Sequence, residues 1–153
     1  MADDLTTYPT ILEKFYEFEK TRPGSLFLSE PVNRIAQTFT WKQAGDEIRR
    51  IVSSLQSMSL PEQSKIAILG KNSAHWILAD LAIMMAGFVS VPLYPTLSTE
   101  TLAAILEHSE CKVIFIGKLD NYDDLAPGIP SSIKKISFPF YPKKDCLDWG
   151  RIN

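Results

Sequence analysis

The sequence predicts an α/β fold with a mainly parallel sheet and crossover helices. Residues 65–116 carry that expectation. They hold three apolar runs of strand length, Lys65-Ile-Ala-Ile-Leu69, Phe88-Val-Ser-Val-Pro-Leu93 and Lys112-Val-Ile-Phe-Ile116. Between them lie two runs of helical length, opened by Ser73 and Ser98, residues that can cap a helix. Strands that alternate with helices, rather than with tight turns, build parallel sheets with helices crossing over their faces. The expected core is thus a βαβαβ unit over 65–116, with right-handed crossovers.

The elements follow in order. Thr10-Ile-Leu-Glu13 is a capping-box pattern, and Ile11, Leu12, Phe15 and Tyr16 recur at helical spacing, predicting a short helix to about Lys20. Arg22-Pro-Gly24 ends it with turn chemistry. Ser25–Leu28 reads as a short strand, with Arg34–Thr40 as its hairpin partner. Thr40 and Gln43 form a second capping box. In the helix that follows, Trp41, Ala44, Ile48, Ile51, Val52, Leu55 and Met58 share one face and charged residues take the other. After the 65–69 strand, Ser73 caps a helix from Ala74 to Ala86 that is apolar almost all round, so it should be covered on more than one side. Gly87 stops it. Pro92 lies near the end of the next strand, as a central strand requires. Ser98 caps a helix that turns Leu102, Ile105 and Leu106 inward, with Glu100 in its first turn. Leu119–Ala126 suggests a short acidic helix, and Ile133–Phe138 one more strand among four prolines.

Composition sets the outer bounds. A chain of 153 residues suits one domain, 1–153, with a sizeable core. Its 16 basic and 18 acidic residues give a net charge of −2 without a basic patch, which argues against nucleic acid as a partner. Cys111 and Cys146 make neither a disulfide framework nor a metal motif. The apolar stretch from Trp76 to Val91 is broken by Asp80 and Gly87. It is too short and polar to span a membrane, leaving at most peripheral contact. The acidic start, MADDLTTYPT, is unlike a signal peptide, so a cytoplasmic, reducing compartment is the expectation.

Few residues have the spacing of a chemical site. Gly70-Lys-Asn-Ser73 leaves a strand and opens a helix, where a phosphate loop would sit. A Walker A loop needs glycine where Lys65 stands, and a Rossmann fingerprint needs glycines where Asn72 and His75 stand. The segment therefore reads as a strand–turn–helix junction, whose helix terminus still offers a partial positive charge to an anion. His108 and Cys111 are spaced for a nucleophile pair, but no third orienting group accompanies them. A last-turn histidine suits the helix dipole, and a cysteine at a strand start suits packing. His75, beside Trp76, reads as a surface or packing residue. Glu17 with Glu19, and Asp123 with Asp124, point apart on helices and read as solvated faces. No catalytic residue and no metal site is assigned. The loop Val91-Pro-Leu-Tyr-Pro-Thr-Leu-Ser98 draws most attention. It leaves the carboxyl end of a buried strand, the edge where open α/β sheets bind ligands. Two prolines stiffen it, and Tyr94 and Thr96 present hydroxyls.

Several words in succession carry a resemblance. They are Thr40-Trp41, Lys65-Ile-Ala-Ile-Leu69, Asn72-Ser-Ala-His-Trp76, Ala79-Asp-Leu-Ala-Ile83, Ala86-Gly87, Val89-Ser-Val-Pro-Leu-Tyr-Pro-Thr-Leu-Ser98, His108-Ser-Glu and Lys112-Val-Ile-Phe. In this order they resemble the N-terminal region of AMP-forming acyl-CoA synthetases, especially the long-chain fatty-acid type. The resemblance spans roughly residues 10–120 and fades beyond Asp120.

The resemblance implies a partial N-terminal subdomain of the acetyl-CoA synthetase-like fold, within a two-step ligase. A carboxylate attacks the α-phosphate of Mg-ATP to give an acyl-adenylate and pyrophosphate, and the thiol of coenzyme A then displaces AMP. The family handles the charge with a Ser/Thr/Gly-rich loop ending in Pro-Lys-Gly, a Tyr-Gly-x-Thr-Glu segment, a ribose-binding Asp and a C-terminal Lys. The corresponding motifs do not occur here, and the seven glycines are scattered. The expectation is an N-terminal fragment that is inactive alone and binds no cofactor, while the full enzyme uses ATP, Mg and coenzyme A. Apolar Trp149 and Ile152, near an end without helix stop or polar tail, fit a chain cut from something longer. Tyr94, Pro95 and Thr96 correspond to a loop near coenzyme A in related enzymes, although the family's glycines are absent there. The expected partner is the remainder of the synthetase chain, with self-association through exposed apolar faces. Two other functions fit the same residues: a free-standing α/β module that binds a nucleotide or coenzyme A, and a non-catalytic interaction domain.

Overall fold

A computed structural model describes residues 8–152. Helix α1 (Ile11–Thr21) opens on the expected capping box: the Glu13 backbone N–H donates to Thr10 Oγ1, and the Thr10 N–H donates to the Glu13 carboxylate. Strands β1 (Leu26–Val32) and β2 (Ile35–Thr40) form an antiparallel hairpin, longer on its first strand than the sequence suggests. Its two-residue turn, Asn33-Arg34, has positive φ at both positions (51° and 65°). That twist matches paired strands, and asparagine tolerates it better than most residues. Helix α2 (Trp41–Ser57) starts on the Thr40–Gln43 capping box.

The parallel unit then runs β3 (Lys65–Leu69), α3 (Ala74–Met85), β4 (Val89–Leu93), α4 (Thr99–Ser109) and β5 (Val113–Ile116). It continues through the short helix α5 (Tyr122–Leu125) to β6 (Lys134–Ser137) and β7 (Leu147–Asp148). The five strands lie in the order β4-β3-β5-β6-β7, every neighbouring pair parallel. One expectation is corrected here: β4 lies at the edge of the sheet, not at its centre. Pro92 costs little there, because one side of an edge strand has no ladder to break.

Side chains alternate across the sheet, so each strand feeds two cores. Ile66 and Ile68 of β3, Val113 and Phe115 of β5 and Ile136 of β6 meet Ile48, Ile51 and Leu55 of α2 and Leu78 and Ile83 of α3. Ala67 and Leu69, with Ile114 and Ile116, meet Leu102 and Leu106 of α4 and Leu125 of α5. All these positions are buried. Each large aliphatic or aromatic side chain placed there contributes about 1.5–3 kcal/mol. Coverage on both faces explains why α3 and the central strands are apolar almost throughout.

The segment after β6 returns to the first core. Trp149 and Ile152 are 1% and 5% exposed, so packing accounts for their apolarity. Arg50 donates to the Trp149 carbonyl at 3.1 Å, Ser54 donates to the Ile152 carbonyl at 2.5 Å, and the Trp149 indole N–H donates to Glu47. The sequence offers no sign of β7, which is two residues long.

At the carboxyl ends of β3 and β5 the backbones of Gly70 and Gly117 touch. The Gly117 N–H donates to the Leu69 carbonyl and the Lys71 N–H to the Lys118 carbonyl, both at 2.9 Å. A Cβ on Gly117 would lie 2.7 Å from a ring carbon of Phe138, which is 1% exposed and packed in the first core. Gly117→Ala should therefore cost about 1–3 kcal/mol in urea unfolding. Gly24→Ala, where a Cβ meets nothing within 4 Å, should stay within about 0.5 kcal/mol of the parent.

His75 is 4% exposed and sits among ring edges: Phe39 at 5.5 Å, Trp149 at 5.4 Å and Phe140 at 5.8 Å. Its Nδ1 is buried without a hydrogen-bond partner among the described residues. Burial pushes its pKa below the ordinary histidine value. The Glu47 and Glu30 carboxylates oppose that shift, and the Arg50 cation adds to it. The unfolded chain binds a proton near pH 6.5 while the folded chain still holds this ring neutral. Stability should therefore fall as pH drops from about 6.5 toward the folded-state pKa. His75→Phe should flatten that part of the urea-midpoint profile. The further loss at lower pH, where carboxylates such as Glu47 protonate, should remain.

Candidate functional site

The site to consider lies at the carboxyl ends of β3 and β4, where two loops lead into α3 and α4. In the first loop, Ser73 Oγ accepts the Trp76 N–H at 3.1 Å and starts α3. In the second, Ser98 Oγ accepts the Thr101 N–H at 3.2 Å and starts α4. The Thr99 hydroxyl donates to the Asp124 carbonyl at 2.8 Å, which ties the start of α4 to α5. Between the loops is a cleft of about 220 Å³, lined by Gly70, Asn72, Trp76 and the run Pro92 to Pro95. Tyr94 is 78% exposed, and Thr96 is exposed beyond the lining residues. The two hydroxyls expected on this loop are thus presented to solvent, and Tyr94 and Pro95 face a common cavity.

Its neighbourhood limits what it can do. With β3 first in this parallel unit, the strand order reverses between β3 and β5, the switch point where sheets of this kind take ligands. That crevice is closed by the Gly70–Gly117 contact and bridged by an ion pair between Lys71 and Asp120. The ammonium of Lys71 also holds the Asp120 carboxyl below its usual range. The partial positive charge of the α3 N-terminus is already taken. The Ala74 N–H donates to the Glu30 carboxylate at 2.8 Å, and Glu30 also accepts the Tyr141 hydroxyl at 2.9 Å. The anion site that the Gly70–Ser73 junction suggests is therefore filled by a side chain from the hairpin, 44 residues away in sequence.

The other candidates resolve into packing. Cys111 is buried, its Sγ lies 3.1 Å from Ser109 Oγ, and burial pushes its thiol up. His108 is exposed, so the two form no nucleophile pair. Glu17 pairs with Lys14 at 2.7 Å. Glu19 is no solvated carboxylate, since it is largely buried and pairs with Arg49 at 2.5 Å. Asp123 and Asp124 are exposed as expected. Among the described residues no group of three or more His, Cys, Asp or Glu side chains could hold a metal ion. Among the described residues no helix is long and apolar enough to cross a membrane.

One polar cluster was not legible in sequence. The Tyr122 hydroxyl donates to both oxygens of Asp145 at 2.9 Å, Lys135 pairs with Asp145, and the Lys143 ammonium lies 5.2 Å from the Tyr122 ring centre. Burial pushes the Tyr122 phenol far up, so it stays a proton donor. The neighbouring Cys146 thiol is likewise raised by burial. The cluster can fasten the segment after β6 to α5, but it offers neither a base nor a thiolate.

The chain is 32% identical over 77 residues to long chain acyl-CoA synthetase 4 of Arabidopsis thaliana, covering 50% of this chain and 12% of that protein. It is 30% identical over 121 residues to "Probable acyl-activating enzyme 16, chloroplastic" of the same plant, covering 79% of this chain and 16% of the relative. The chain thus spans less than a fifth of either relative. Among solved structures, acetoacetyl-CoA synthetase from Streptomyces lividans superposes with a TM-score of 0.78 at 17% identity, over 92% of this chain and 24% of that one. That likeness fixes the fold as the acyl-CoA synthetase-like α/β arrangement. The family description "AMP-binding enzyme" matches residues 16–146, reaching well past Asp120, where the resemblance in sequence words fades. On that match the chain belongs to the AMP-binding enzyme family.

Proposed function

We propose that this chain is the N-terminal part of an ATP-dependent, AMP-forming long-chain fatty acid–CoA ligase. The observation that carries the reading is the family match over residues 16–146, joined to a long-chain acyl-CoA synthetase among the relatives. Within it, Tyr94, Pro95 and Thr96 form a surface that meets coenzyme A. Support comes from the position of their loop at the carboxyl ends of the strands and from the cleft beside it. A volume of about 220 Å³ is below the roughly 300–1,000 Å³ of complete small-molecule sites. It suits contact with one part of a large cofactor rather than its enclosure.

ATP and Mg belong to the remainder of the longer chain in this reading. Among the described residues no three His, Cys, Asp or Glu side chains converge on a metal position, and the crevice between β3 and β5 is closed. The chain therefore supplies scaffold and one binding surface, and the proton and phosphate chemistry lies elsewhere. Its partner is the rest of the synthetase, met through apolar side chains that are exposed here, among them Ile35, Val89 and Leu147. A cytoplasmic location and self-association through those patches belong to the same proposal.

The isolated chain, given palmitate, ATP, Mg and coenzyme A, should release no pyrophosphate. Release that depends on both palmitate and ATP would overturn the reading. Coenzyme A should shift the amide resonances of Tyr94 and Thr96 in a saturable way, and Tyr94→Ala should weaken that binding about three- to tenfold. Shifts confined to other parts of the surface would remove this loop from the site. Light scattering should give a mass that rises with concentration, whereas a sharp monomer across the range would count against self-association.

A further inference from the structure

We propose that the groove between α1 and α3 binds a small organic ammonium with an apolar body. The groove holds about 420 Å³, a volume suited to a small molecule. Phe15 and Phe18 of α1, Phe27 of the hairpin and Trp41 of α2 supply aromatic walls, and Ile77 and Leu81 of α3 supply aliphatic ones. The rings form one cluster, with Trp41 stacked on Phe27 at 4.0 Å and set against Phe18 at 5.1 Å. Such walls accept the apolar part of any ligand. The charges select its head group.

Two charged side chains line the groove, Lys14 and Asp80. Lys14 is matched, since its ammonium pairs with Glu17 at 2.7 Å. Asp80 is half-buried and has neither a hydrogen bond nor an ion pair among the described residues. Among the described residues, the unmatched charge lining the groove is therefore negative. The aromatic wall favours the same sign of ligand, because ring faces attract cations. Phe18 already does so within this chain: the Arg22 guanidinium lies 3.9 Å from its centre and the Lys14 ammonium 5.8 Å. A carboxylate ligand would meet Asp80 as a like charge. An uncharged ligand without a hydrogen-bond donor would cover Asp80 without replacing the water it loses, and one with a donor would leave its charge unmatched. An ammonium answers both demands, with its charge toward Asp80 and its apolar body against the rings. The groove is formed by other residues than the Tyr94 cleft, so the proposal stands independently of the ligase reading.

The test is a titration of the ¹⁵N-labelled 153-residue chain, followed by NMR, with three probes that share a phenyl ring and a short chain. These are 2-phenylethylamine, charged at neutral pH, 2-phenylethanol and 3-phenylpropionate. The amine should give saturable shifts confined to α1, α3 and the Trp41 indole, and should bind about tenfold more tightly than 3-phenylpropionate. Asp80→Asn should weaken the amine about fivefold or more and leave the alcohol unchanged. The amide fingerprint reports whether the variant is folded, and the three-probe series on the parent chain decides the matter if it is not. Equal affinity for amine and carboxylate, no saturable shift in this groove, or a folded Asp80→Asn chain that binds the amine as the parent does would each overturn the proposal.

Discussion

The register of three parallel strands governs the rest of this structure. Ile66 pairs with Val113 and Ile68 with Phe115, while β4 runs beside β3 with Ala67 opposite Val91. Because side chains alternate, a slip of one residue would exchange the two cores. The small Ala67 would then stand where Ile66 or Ile68 fills space beneath α2 and α3, and Ile68 would be forced toward α4. Neither core could accept the exchange without a cavity on one side and overpacking on the other. The same register brings Gly70 against Gly117 and leaves room for Phe138.

What was legible in the sequence is what local chemistry encodes. The capping boxes at Thr10 and Thr40, the caps at Ser73 and Ser98 and the apolar runs of β3 and β5 depend on residues within a few positions of one another. So does the stop at Gly87, whose φ of +82° only glycine adopts without strain. What escaped depends on distance along the chain. The edge position of β4 follows from where β5 and β6 add to the sheet, which no residue of β4 records. Strand β7 is too short for any periodicity. Glu30 reaches the α3 terminus across 44 residues, and Tyr122 reaches Asp145 across 23. The candidate loop at Tyr94 was legible because a stiff, hydroxyl-bearing segment at a strand's carboxyl end is a local signal. The cleft beside it was not, since Gly70, Asn72 and Trp76 come from another loop.

The local electrostatics show what occupies the two places where a sheet of this topology takes phosphate. Two features usually equip such a sheet for phosphate, an open switch point and a free helix terminus. Here the first is sealed by backbone hydrogen bonds and the Lys71–Asp120 pair, and the second accepts Glu30. Both are satisfied from within the chain, which favours a stable scaffold over an exposed reactive group. At the same end the loop around Tyr94 stays exposed.

The segment after β6 shows how a polar group can hold an apolar core in one arrangement. Glu47 is half-buried, and burial alone would raise its pKa, yet its carboxyl lies below the ordinary range. The hydrogen bonds from Arg50 at 2.8 Å and from the Trp149 indole outweigh the loss of water. With its charge satisfied by those donors, Glu47 does not need a protonated His75 beside it, and the ring stays neutral among its aromatic neighbours. Withdrawing Trp149 would remove a donor from Glu47 and a ring edge from His75 at once, so the polar and apolar contacts fail together. Residues 147–152 are bound into the first core by that coupling. The part of the chain with the faintest verbal likeness to the family is therefore as firmly built into its fold as the strands that announce it.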